Sequence, residues 1–260
     1  MRIVSWNVNG LRSVARNGFW DGVWSLSPDI LCLQEIKAEA AQLPEEVQAV
    51  PGFTAIFESS RARKGYSGVA MYCRTAPLLV ETTLGSEERF DIEGRVIVAH
   101  FEEFILANVY FPNGGQGPER LAYKLDFYDA FLERIETLHR ETGKPIVFCG
   151  DVNTAHEAID LARPEANEEN TGFLPEERAW IDAVIAAGYA DVFRMRNDGK
   201  AGQYTYWDLK TAARDRNVGW RIDYFFVSND LLPKVRGAAI HPSVFGSDHC
   251  PISLDLDLDR

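Results

Sequence analysis

The fold class is decided by the stretch Ile-Val-Phe-Cys-Gly-Asp-Val-Asn (146–153), an apolar run that ends in polar residues. Four consecutive apolar residues predict a strand that is covered on both faces, as in packed sheets. Gly150 allows the chain to leave the strand sharply, and Asp151 and Asn153 follow at its end. Side chains placed in this way emerge from a rigid scaffold, which is typical of a functional cleft.

Seven other short apolar runs predict further strands of the same kind. They cover residues 3–6, 30–34, 68–73, 96–100, 104–110, 222–227 and 252–256. Helices separate groups of these strands, so we expect the α/β or α+β class with stacked sheets. Because no linker, low-complexity tract or long repeat interrupts the pattern, we expect a single domain over residues 1–260.

Three helices are predicted from apolar periodicity and from the residues that end them. The longest covers 119–140, a second runs from Pro175 to Gly188, and a short one covers 19–26. In the two longer helices, the residues expected to face the core are Leu121, Leu125, Tyr128, Leu132, Ile135, Leu138, Trp180, Ile181, Val184 and Ile185. Their spacing of three or four residues forms one apolar stripe on each helix.

The charge balance limits the function. The 260 residues include 27 Lys and Arg against 39 Asp and Glu, a net charge of −12. This argues against a protein that coats nucleic acid through a uniformly basic surface, but not against an enzyme with a local basic track and a bound cation. No window reaches the roughly 18 apolar residues of a membrane span, and the start does not resemble a signal peptide, so we expect no membrane contact.

The four cysteines indicate the redox environment. Cys32, Cys73, Cys149 and Cys250 are far apart, and three of them lie in or beside apolar runs. Buried free thiols are therefore expected rather than disulfides or a zinc site. This pattern favours a reducing compartment, and we expect the cytoplasm.

Polar residues of special chemistry gather at the ends of six predicted strands. They are Asn7, Asn9, Gln34, Glu35, Tyr110, Asp151, Asn153, Asp223, Asp248 and His249. One such residue usually forms a turn or caps a helix, but this mixture at six strand ends favours a site for phosphate-ester hydrolysis. Carboxylate and amide oxygens suit Mg²⁺ or Mn²⁺, whereas Zn²⁺ prefers the Cys/His clusters that are missing here. The residues alone therefore predict a metal-dependent hydrolase of unspecified substrate.

Seven blocks at these positions resemble the exonuclease III family of abasic-site DNA endonucleases, within the endonuclease/exonuclease/phosphatase superfamily. The blocks are residues 5–12 (Ser-Trp-Asn-Val-Asn-Gly-Leu-Arg), 33–37 (Leu-Gln-Glu-Ile-Lys), 64–70, 108–113, 150–155, 217–224 and 246–252. The resemblance implies a four-layer α-β-β-α sandwich, in which two packed mixed β-sheets are flanked by helices. It implies hydrolysis of the phosphodiester bond 5′ to an abasic site, which leaves a 3′-hydroxyl in base excision repair. Exonuclease (3′→5′), 3′-phosphatase and 3′-repair diesterase activities are also typical of the family.

The resemblance implies roles for individual residues. Mg²⁺, or Mn²⁺ in its place, would be held near Asn7, Glu35, Asp151, Asn153 and Asp248. The catalytic set would be Tyr110, Asp151, Asn153, Asp223 and His249. In this set Asp151 would accept a proton from water or orient it, and His249, oriented by Asp223, would donate to the phosphate. Whether Asp151 or Tyr110 is the main proton-transfer group stays open, as does a count of one or two metals.

Substrate-binding residues are implied in the same way. They are Asn9, Arg63, Lys64, Tyr66, Asn113, Gln116, Asn167, Asn170, Tyr206, Lys210, Trp220 and Ile222. The pocket wall of Tyr206, Trp220 and Ile222 would accept a flipped-out baseless sugar. Seven cations against three acids from residue 194 to residue 221 give a local charge of +4, which we interpret as a basic track. The expected partner is double-stranded DNA with abasic or 3′-blocked lesions, bound by a monomer.

Departures from the family and alternative functions stay open. Gln116, Tyr206 and Lys210 differ from residues common in the family, so the sequence does not rank the several nuclease activities. A phosphatase or phosphodiesterase of the same superfamily, acting on a small molecule or a lipid, is the second hypothesis. A DNA-binding module without chemistry is the third, although every matched catalytic position keeps a competent residue.

Overall fold

Two six-stranded sheets form the centre of the protein, whose computed structural model describes residues 1–258. The first sheet has the order β11-β12-β1-β2-β4-β3, with β1 (Arg2–Asn7), β2 (Ile30–Gln34), β3 (Thr54–Glu58), β4 (Val69–Cys73), β11 (Val235–Ile240) and β12 (Ile252–Leu256). The second has the order β5-β6-β7-β8-β10-β9, with β5 (Leu79–Glu81), β6 (Val96–His100), β7 (Ile105–Tyr110), β8 (Ile146–Asp151), β9 (Tyr189–Asp191) and β10 (Asp223–Ser228). The pairs β1–β2 and β7–β8 are parallel, whereas β1–β12 and β8–β10 are antiparallel, so both sheets are mixed.

Helices flank the two sheets. They are α1 (Leu11–Arg16), α2 (Trp20–Trp24), α3 (Glu45–Gln48), α4 (Glu88–Asp91), α5 (Pro118–Thr142), α6 (Pro175–Ala186) and α7 (Val192–Arg196). Short 3₁₀ helices occur at Ala40–Gln42, Ala158–Asp160, Leu209–Thr211, Ala213–Arg216 and Leu232–Lys234. Residues of α1, α2 and α3 pack on the first sheet, and residues of α5 and α6 pack on the second. The predicted four-layer sandwich is therefore confirmed.

The alternation of side chains along each strand carries the site residues to the gap between the sheets. Ile3 of β1 and Cys149 of β8 belong to the apolar cluster between the sheets. Asn7 and Asp151 lie four and two positions further on, so they face the same way. Tyr110 at the end of β7 belongs to the same cluster. Because the parallel pairs β1–β2 and β7–β8 end at the same edge, their terminal polar side chains meet there.

All eight predicted strands are present, with bounds that differ by no more than two residues. The strands β3, β5, β9 and β11 were not predicted. β5 and β9 have three residues each, which is too short for a periodicity signal. β11 contains Gly237 and a register shift between Val235 and Gly237, and both weaken a strand pattern.

The buried faces of the helices differ in part from the prediction. In α5, Tyr128, Ile135 and Leu138 are buried as predicted, but the predicted Leu121, Leu125 and Leu132 are only half-buried. The other buried residues of this helix are Lys124, Phe127 and Phe131. In α6, Ile185 was expected in the core and is 43% exposed. The predicted helix 19–26 is shorter, at Trp20–Trp24.

The expectations on the cysteines and on membrane-spanning helices can be compared with the structure. Cys32, Cys73, Cys149 and Cys250 are free and buried, as predicted. Within residues 1–258, we find no helix with the length and apolar character needed to cross a membrane. The single domain over 1–260 and the cytoplasmic location stay predictions.

Candidate active site

A cleft of about 430 Å³ opens at the edge where the strand ends meet. It brings together eleven of the predicted site residues: Asn9, Glu35, Tyr110, Asn113, Asp151, Asn153, Tyr206, Trp220, Ile222, Asp248 and His249. Thr171, Gly172 and Asp208 also line it. Asn7 and Asp223 are buried next to it. The strand-end argument located seven of these fourteen lining residues, and the family resemblance supplied Asn113, Tyr206, Trp220 and Ile222.

The backbone at the strand ends adopts unusual conformations. Gly150 has φ +135°, and a Cβ at this position would lie 1.9 Å from the Val109 carbonyl oxygen, so only glycine fits. Glu35 and Asn153 both have φ 56°, in the left-handed region that residues other than glycine rarely adopt. Such conformations persist only where the surrounding structure imposes them. The scaffold thus fixes how these side chains enter the cleft.

His249 is held between two carboxylates. Its Nδ1 lies 2.8 Å from Asp223 Oδ2, and its Nε2 lies 3.8 Å from Asp151 Oδ2. Burial alone would lower the pKa of His249, but the charges of Asp223 and Asp151 raise it to about 10. Burial raises the pKa of Asp151 to about 7, against the lowering effect of His249. The imidazole is therefore a charged donor at neutral pH, and Asp151 can exchange a proton near that pH.

Tyr110 is a buried phenol that faces the cleft and lies beside a cation. The guanidinium carbon of Arg95 lies 4.7 Å from the centre of the Tyr110 ring, and Arg95 Nη1 donates to the Tyr110 carbonyl oxygen at 2.8 Å. Burial raises the pKa of Tyr110 well above its usual value, and the Glu35 charge adds to this effect while Arg95 opposes it. The hydroxyl therefore keeps its proton at neutral pH and can act as a hydrogen-bond donor.

Acidic and amide side chains of the cleft contact one another around Glu35. The Lys37 ammonium lies 2.8 Å from Glu35 Oε1 and 2.5 Å from Asn9 Oδ1. The Asn9 side-chain nitrogen in turn donates to Asp248 Oδ1 at 3.0 Å. Asn7 Nδ2 donates to Glu35 Oε2 at 3.1 Å and to Asp151 Oδ2 at 2.9 Å. This acidic, oxygen-rich set has the ligand chemistry that a hard divalent cation prefers, and two of its oxygens, of Glu35 and Asn9, already contact the Lys37 ammonium.

A second group of side chains, Asp151, Asp223 and His249, is less suitable for binding a divalent cation. Ligand atoms of Asp151, Asp223 and His249 lie within 4.8 Å of one another. However, Asp223 already accepts from the His249 ring, and a protonated imidazole has no free lone pair for a metal. Chemistry therefore favours the oxygen set around Glu35 over this histidine cluster.

Other predicted substrate-binding residues lie outside the cleft. They are Arg63, Lys64, Tyr66, Gln116, Asn167, Asn170 and Lys210. The Tyr66 hydroxyl accepts from Arg95 Nη2 at 2.9 Å and from Arg120 Nη2 at 2.8 Å, so it is fixed rather than free. Asn170 Nδ2 donates to Asn167 Oδ1 at 3.1 Å within one loop. The remaining four are exposed side chains.

The basic track predicted over residues 194–221 is wrong for three of its seven cations, whereas the other four, Arg196, Lys200, Lys210 and Arg216, are exposed. Arg221 is 1% exposed and forms ion pairs with Asp160 and Asp191, both at 2.7 Å. Arg194 also pairs with Asp160. Arg214 lies over the Phe245 ring and donates to backbone carbonyl groups. A count of sequence charges did not reveal that these three cations have internal partners.

Functional residues that the sequence did not single out include Lys37, Arg95 and Gly172. Lys37 follows Glu35 by two positions inside the quoted block 33–37, and that proximity was its only signal. Arg95 approaches Tyr110 because it directly precedes β6, which pairs with β7. Gly172, with φ +95°, lines the cleft in a loop between two predicted elements. Contacts of this kind depend on tertiary structure and leave no periodicity in the sequence.

Comparison with known proteins identifies the family. The sequence model of the endonuclease/exonuclease/phosphatase family matches residues 4–249. The chain is 41% identical over 259 residues to an exodeoxyribonuclease of Bacillus subtilis (strain 168), covering 99% of this chain and 100% of that protein. The chain belongs to the exonuclease III type of this family. This confirms the predicted resemblance and places the chain among DNA-repair nucleases.

Two further relatives of the family extend the comparison. The chain is 44% identical over 257 residues to the DNA repair nuclease APEX1 of Danio rerio, covering 98% of this chain and 82% of that protein. It also matches the structure of a 3′-phosphatase, NExo from Neisseria, bound to a product DNA hairpin, with a TM-score of 0.88 and 27% identity. That match covers 99% of this chain and 100% of the other.

Proposed function

We propose that this chain hydrolyses the phosphodiester bond 5′ to an abasic site in double-stranded DNA and leaves a 3′-hydroxyl. The observation that carries the proposal is a single cleft that combines a charged His249, an acidic oxygen set around Glu35 and an apolar wall. The names of the relatives, an exodeoxyribonuclease and a DNA repair nuclease, support it. The match to a 3′-phosphatase supports additional action on 3′-blocked ends.

The chain's own residues account for activation of water and for binding of the phosphate. Asp151, with a pKa near 7, accepts the proton of the attacking water or orients it. Asn153 is held beside it, because its amide donates to the Phe111 carbonyl oxygen at 3.0 Å and accepts from Asn113 at 3.0 Å. His249 and Tyr110 are protonated donors that stabilise negative charge on the phosphoryl oxygens.

A divalent cation, Mg²⁺ with Mn²⁺ as an alternative, is the cofactor that fits this donor set. Glu35 would be its main ligand, with Asn7 and Asp248 nearby. When bound, the ion offsets charge on the phosphate and on the departing 3′-oxygen. The Lys37 ammonium beside Glu35 would then be free to turn towards the DNA backbone.

The apolar wall provides discrimination between lesions and normal nucleotides. Tyr206, Trp220 and Ile222 belong to one small apolar cluster beside the cleft, and the Tyr206 ring centre lies 4.9 Å from that of His249. A baseless sugar would enter this space without losing a stacked base, whereas an intact nucleotide must first be unstacked.

We propose that one monomer is sufficient, because a single chain supplies every group named above.

Cleavage of a defined duplex tests the proposal. A duplex with one tetrahydrofuran abasic analogue should be nicked on its 5′ side in Mg²⁺ and stay intact in EDTA. Asp151→Ala should lower kcat by about 10²–10⁴-fold, since it removes the proton acceptor. Undamaged duplex, a 3′-phosphate duplex and an inositol phosphate are run in parallel. An intact abasic duplex together with hydrolysis of the inositol phosphate would replace the proposal with the small-molecule phosphatase.

A further inference from the structure

A lysine lies fully buried behind the cleft. Lys124 on α5 has a side-chain exposure of 0%. Its ammonium uses all three hydrogen atoms: it donates to the Asn153 carbonyl oxygen at 2.8 Å, to Thr154 Oγ1 at 2.9 Å and to Glu177 Oε1 at 2.5 Å. Two of these partners belong to the segment that follows Asp151. Lys124 therefore fixes the backbone of residues 150–155, which we name the catalytic loop.

The acidic partner fixes a second segment. Glu177 on α6 is also fully buried. Its Oε1 accepts from Thr171 Oγ1 at 2.7 Å, and its Oε2 accepts from the Gly172 N–H at 2.5 Å and from the Leu174 N–H at 3.1 Å. These donors lie in residues 167–174, which we name the pocket loop. The loop contains the predicted DNA contacts Asn167 and Asn170.

The two loops touch each other at the cleft. The Ala155 N–H donates to the Gly172 carbonyl oxygen at 2.8 Å. A Cβ at Gly172 would lie 3.4 Å from the Asn153 carbonyl oxygen and 3.4 Å from a ring carbon of Trp220. The two loops are therefore in contact beside Trp220, so a shift of one loop would be transmitted to the other.

Stability alone does not explain this ion pair. Burying both charges carries a large desolvation penalty, and well-packed apolar pairs of similar volume often stabilise a fold equally well. Burial lowers the pKa of Lys124, and the Glu177 charge only partly restores it. What an apolar pair cannot do is accept and donate the six hydrogen bonds that bind the catalytic loop to the pocket loop. The specific contribution of the pair is therefore to position the loops.

We propose that Lys124 and Glu177 are positioning residues that hold the catalytic loop and the pocket loop in fixed positions relative to each other. The pair then affects turnover of the abasic substrate more than it affects the stability of the fold. This inference rests on the proposed function, because the turnover in question is incision at an abasic site. It adds two residues that do not touch the substrate and that no feature of the sequence indicated.

The decisive variant is the double substitution Lys124→Met with Glu177→Leu, which leaves no unpaired buried charge. We expect it to fold with a cooperative thermal transition, while kcat on the abasic duplex falls about 100-fold and KM changes less than threefold. Hydrogen exchange measured by mass spectrometry should accelerate in residues 150–155 and 167–174 and stay unchanged in β1 and β2. The exchange measurement needs no substrate, so it is informative even if the wild-type chain fails to incise the abasic duplex.

Leu138→Ala is the matched control. Leu138 is buried in the same helix, fourteen positions and about 21 Å along it from Lys124, and its truncation destabilises the core without touching the ion pair. This variant should keep kcat within threefold. A double variant with wild-type kcat and unchanged exchange in both loops would overturn the proposal. A double variant that does not fold would also overturn it, because the pair would then be required for the fold itself.

Discussion

His249 shows how a few neighbouring atoms determine the chemistry of one side chain. The ring lies in a buried environment that disfavours charge, and only the carboxylates of Asp223 and Asp151 reverse that preference. The Trp6 indole donates to the His249 carbonyl oxygen at 3.1 Å, which holds the backbone of this residue against the core of the first sheet. The backbone of His249 and the charge of its imidazole thus depend on different neighbours, so the charge can be changed without releasing the backbone.

The variant Asp223→Asn removes the charge of the carboxylate and keeps the size of the side chain. The amide keeps the volume of the carboxylate but cannot stabilise the imidazolium, so the pKa of His249 should fall and its tautomer should no longer be fixed. We expect kcat on the abasic duplex to fall by about 10²–10⁴-fold with little change in the thermal midpoint. Steady-state kinetics measure the fall in kcat, and thermal unfolding measures the midpoint. NMR titration of the imidazole measures the fall in the pKa of His249.

The control for this variant is His139→Gln. His139 lies 3.2 Å from Asp230 on the exposed side of α5, in an equivalent but solvated histidine–aspartate pair. It should leave kcat unchanged. If Asp223→Asn retains wild-type turnover, the carboxylate does not act through His249.

At the level of elements, the sequence predicted what periodicity and strand ends can show. It located eight strands and the edge where Asn7, Tyr110 and Asp151 meet, because alternation along a strand is a local rule. It did not locate Lys124 or Arg221, because a charged residue is expected at the surface unless its partner is known, and these partners are 53 and 61 residues away in sequence. Buried ion pairs therefore had to be found from the structure.

The Asp160 network connects three elements through one carboxylate. Asp160, at the end of the 3₁₀ helix Ala158–Asp160, accepts from Arg221 Nε at 2.7 Å and Nη2 at 3.0 Å, and Arg194 of α7 adds a third contact. Arg221 also pairs with Asp191 at the end of β9. Since β10 begins two residues after Arg221, this network anchors the start of the strand that carries Asp223.

Asp160→Asn should destabilise the fold by about 3–5 kcal/mol, because it leaves buried arginine charge without its partner. Burial would raise the pKa of Asp160, but Arg221 and Arg194 lower it below 3.8. A lowered carboxyl pKa stabilises the fold fully above the unfolded value and loses that effect as pH falls through the folded value. The stability difference from wild type should therefore be constant between about pH 5 and 7 and shrink below about pH 4.

Denaturant unfolding at several pH values measures this difference. Asp257→Asn, in the exposed pair that Asp257 forms with Arg236 at 2.7 Å, is the control and should produce no measurable change. A difference for Asp160→Asn that stays constant down to pH 3 would show that the carboxylate does not bind the arginines as its charged form.

At the scale of the whole molecule, a net charge of −12 has to be reconciled with a DNA substrate. Part of the acidic surplus lies in the cleft itself, in Glu35, Asp151 and Asp248, where it can bind a cation. Arg194 and Arg221 are paired with Asp160 and Asp191, so these two cations add little field outside the protein. With this net charge and these two cations neutralised, we expect weak binding to undamaged duplex and discrimination by the lesion and the metal.

Arg63 and Lys64 are the cations best placed to supply that weak binding. Both are exposed, and within residues 1–258 their side chains form no hydrogen bond or ion pair. Their loop lies beside the cleft, since the Lys37 N–H donates to the Ser67 carbonyl oxygen at 2.9 Å. Each phosphate neutralised contributes about −0.9 to the slope of log K against log salt concentration. Replacing both residues by alanine should therefore make the slope shallower by about 2 on undamaged duplex.

Fluorescence anisotropy across a salt series measures that slope. Arg236→Ala removes an exposed cation on β11 that is already paired with Asp257, so it should leave the slope unchanged. The double variant should also lose less affinity for an abasic duplex in high salt than in low salt, because contacts with the lesion release no counterions. An unchanged slope in the double variant would mean that phosphates are neutralised elsewhere, and Lys37, which contacts Glu35 and Asn9 of the cleft, would then be the next cation to replace.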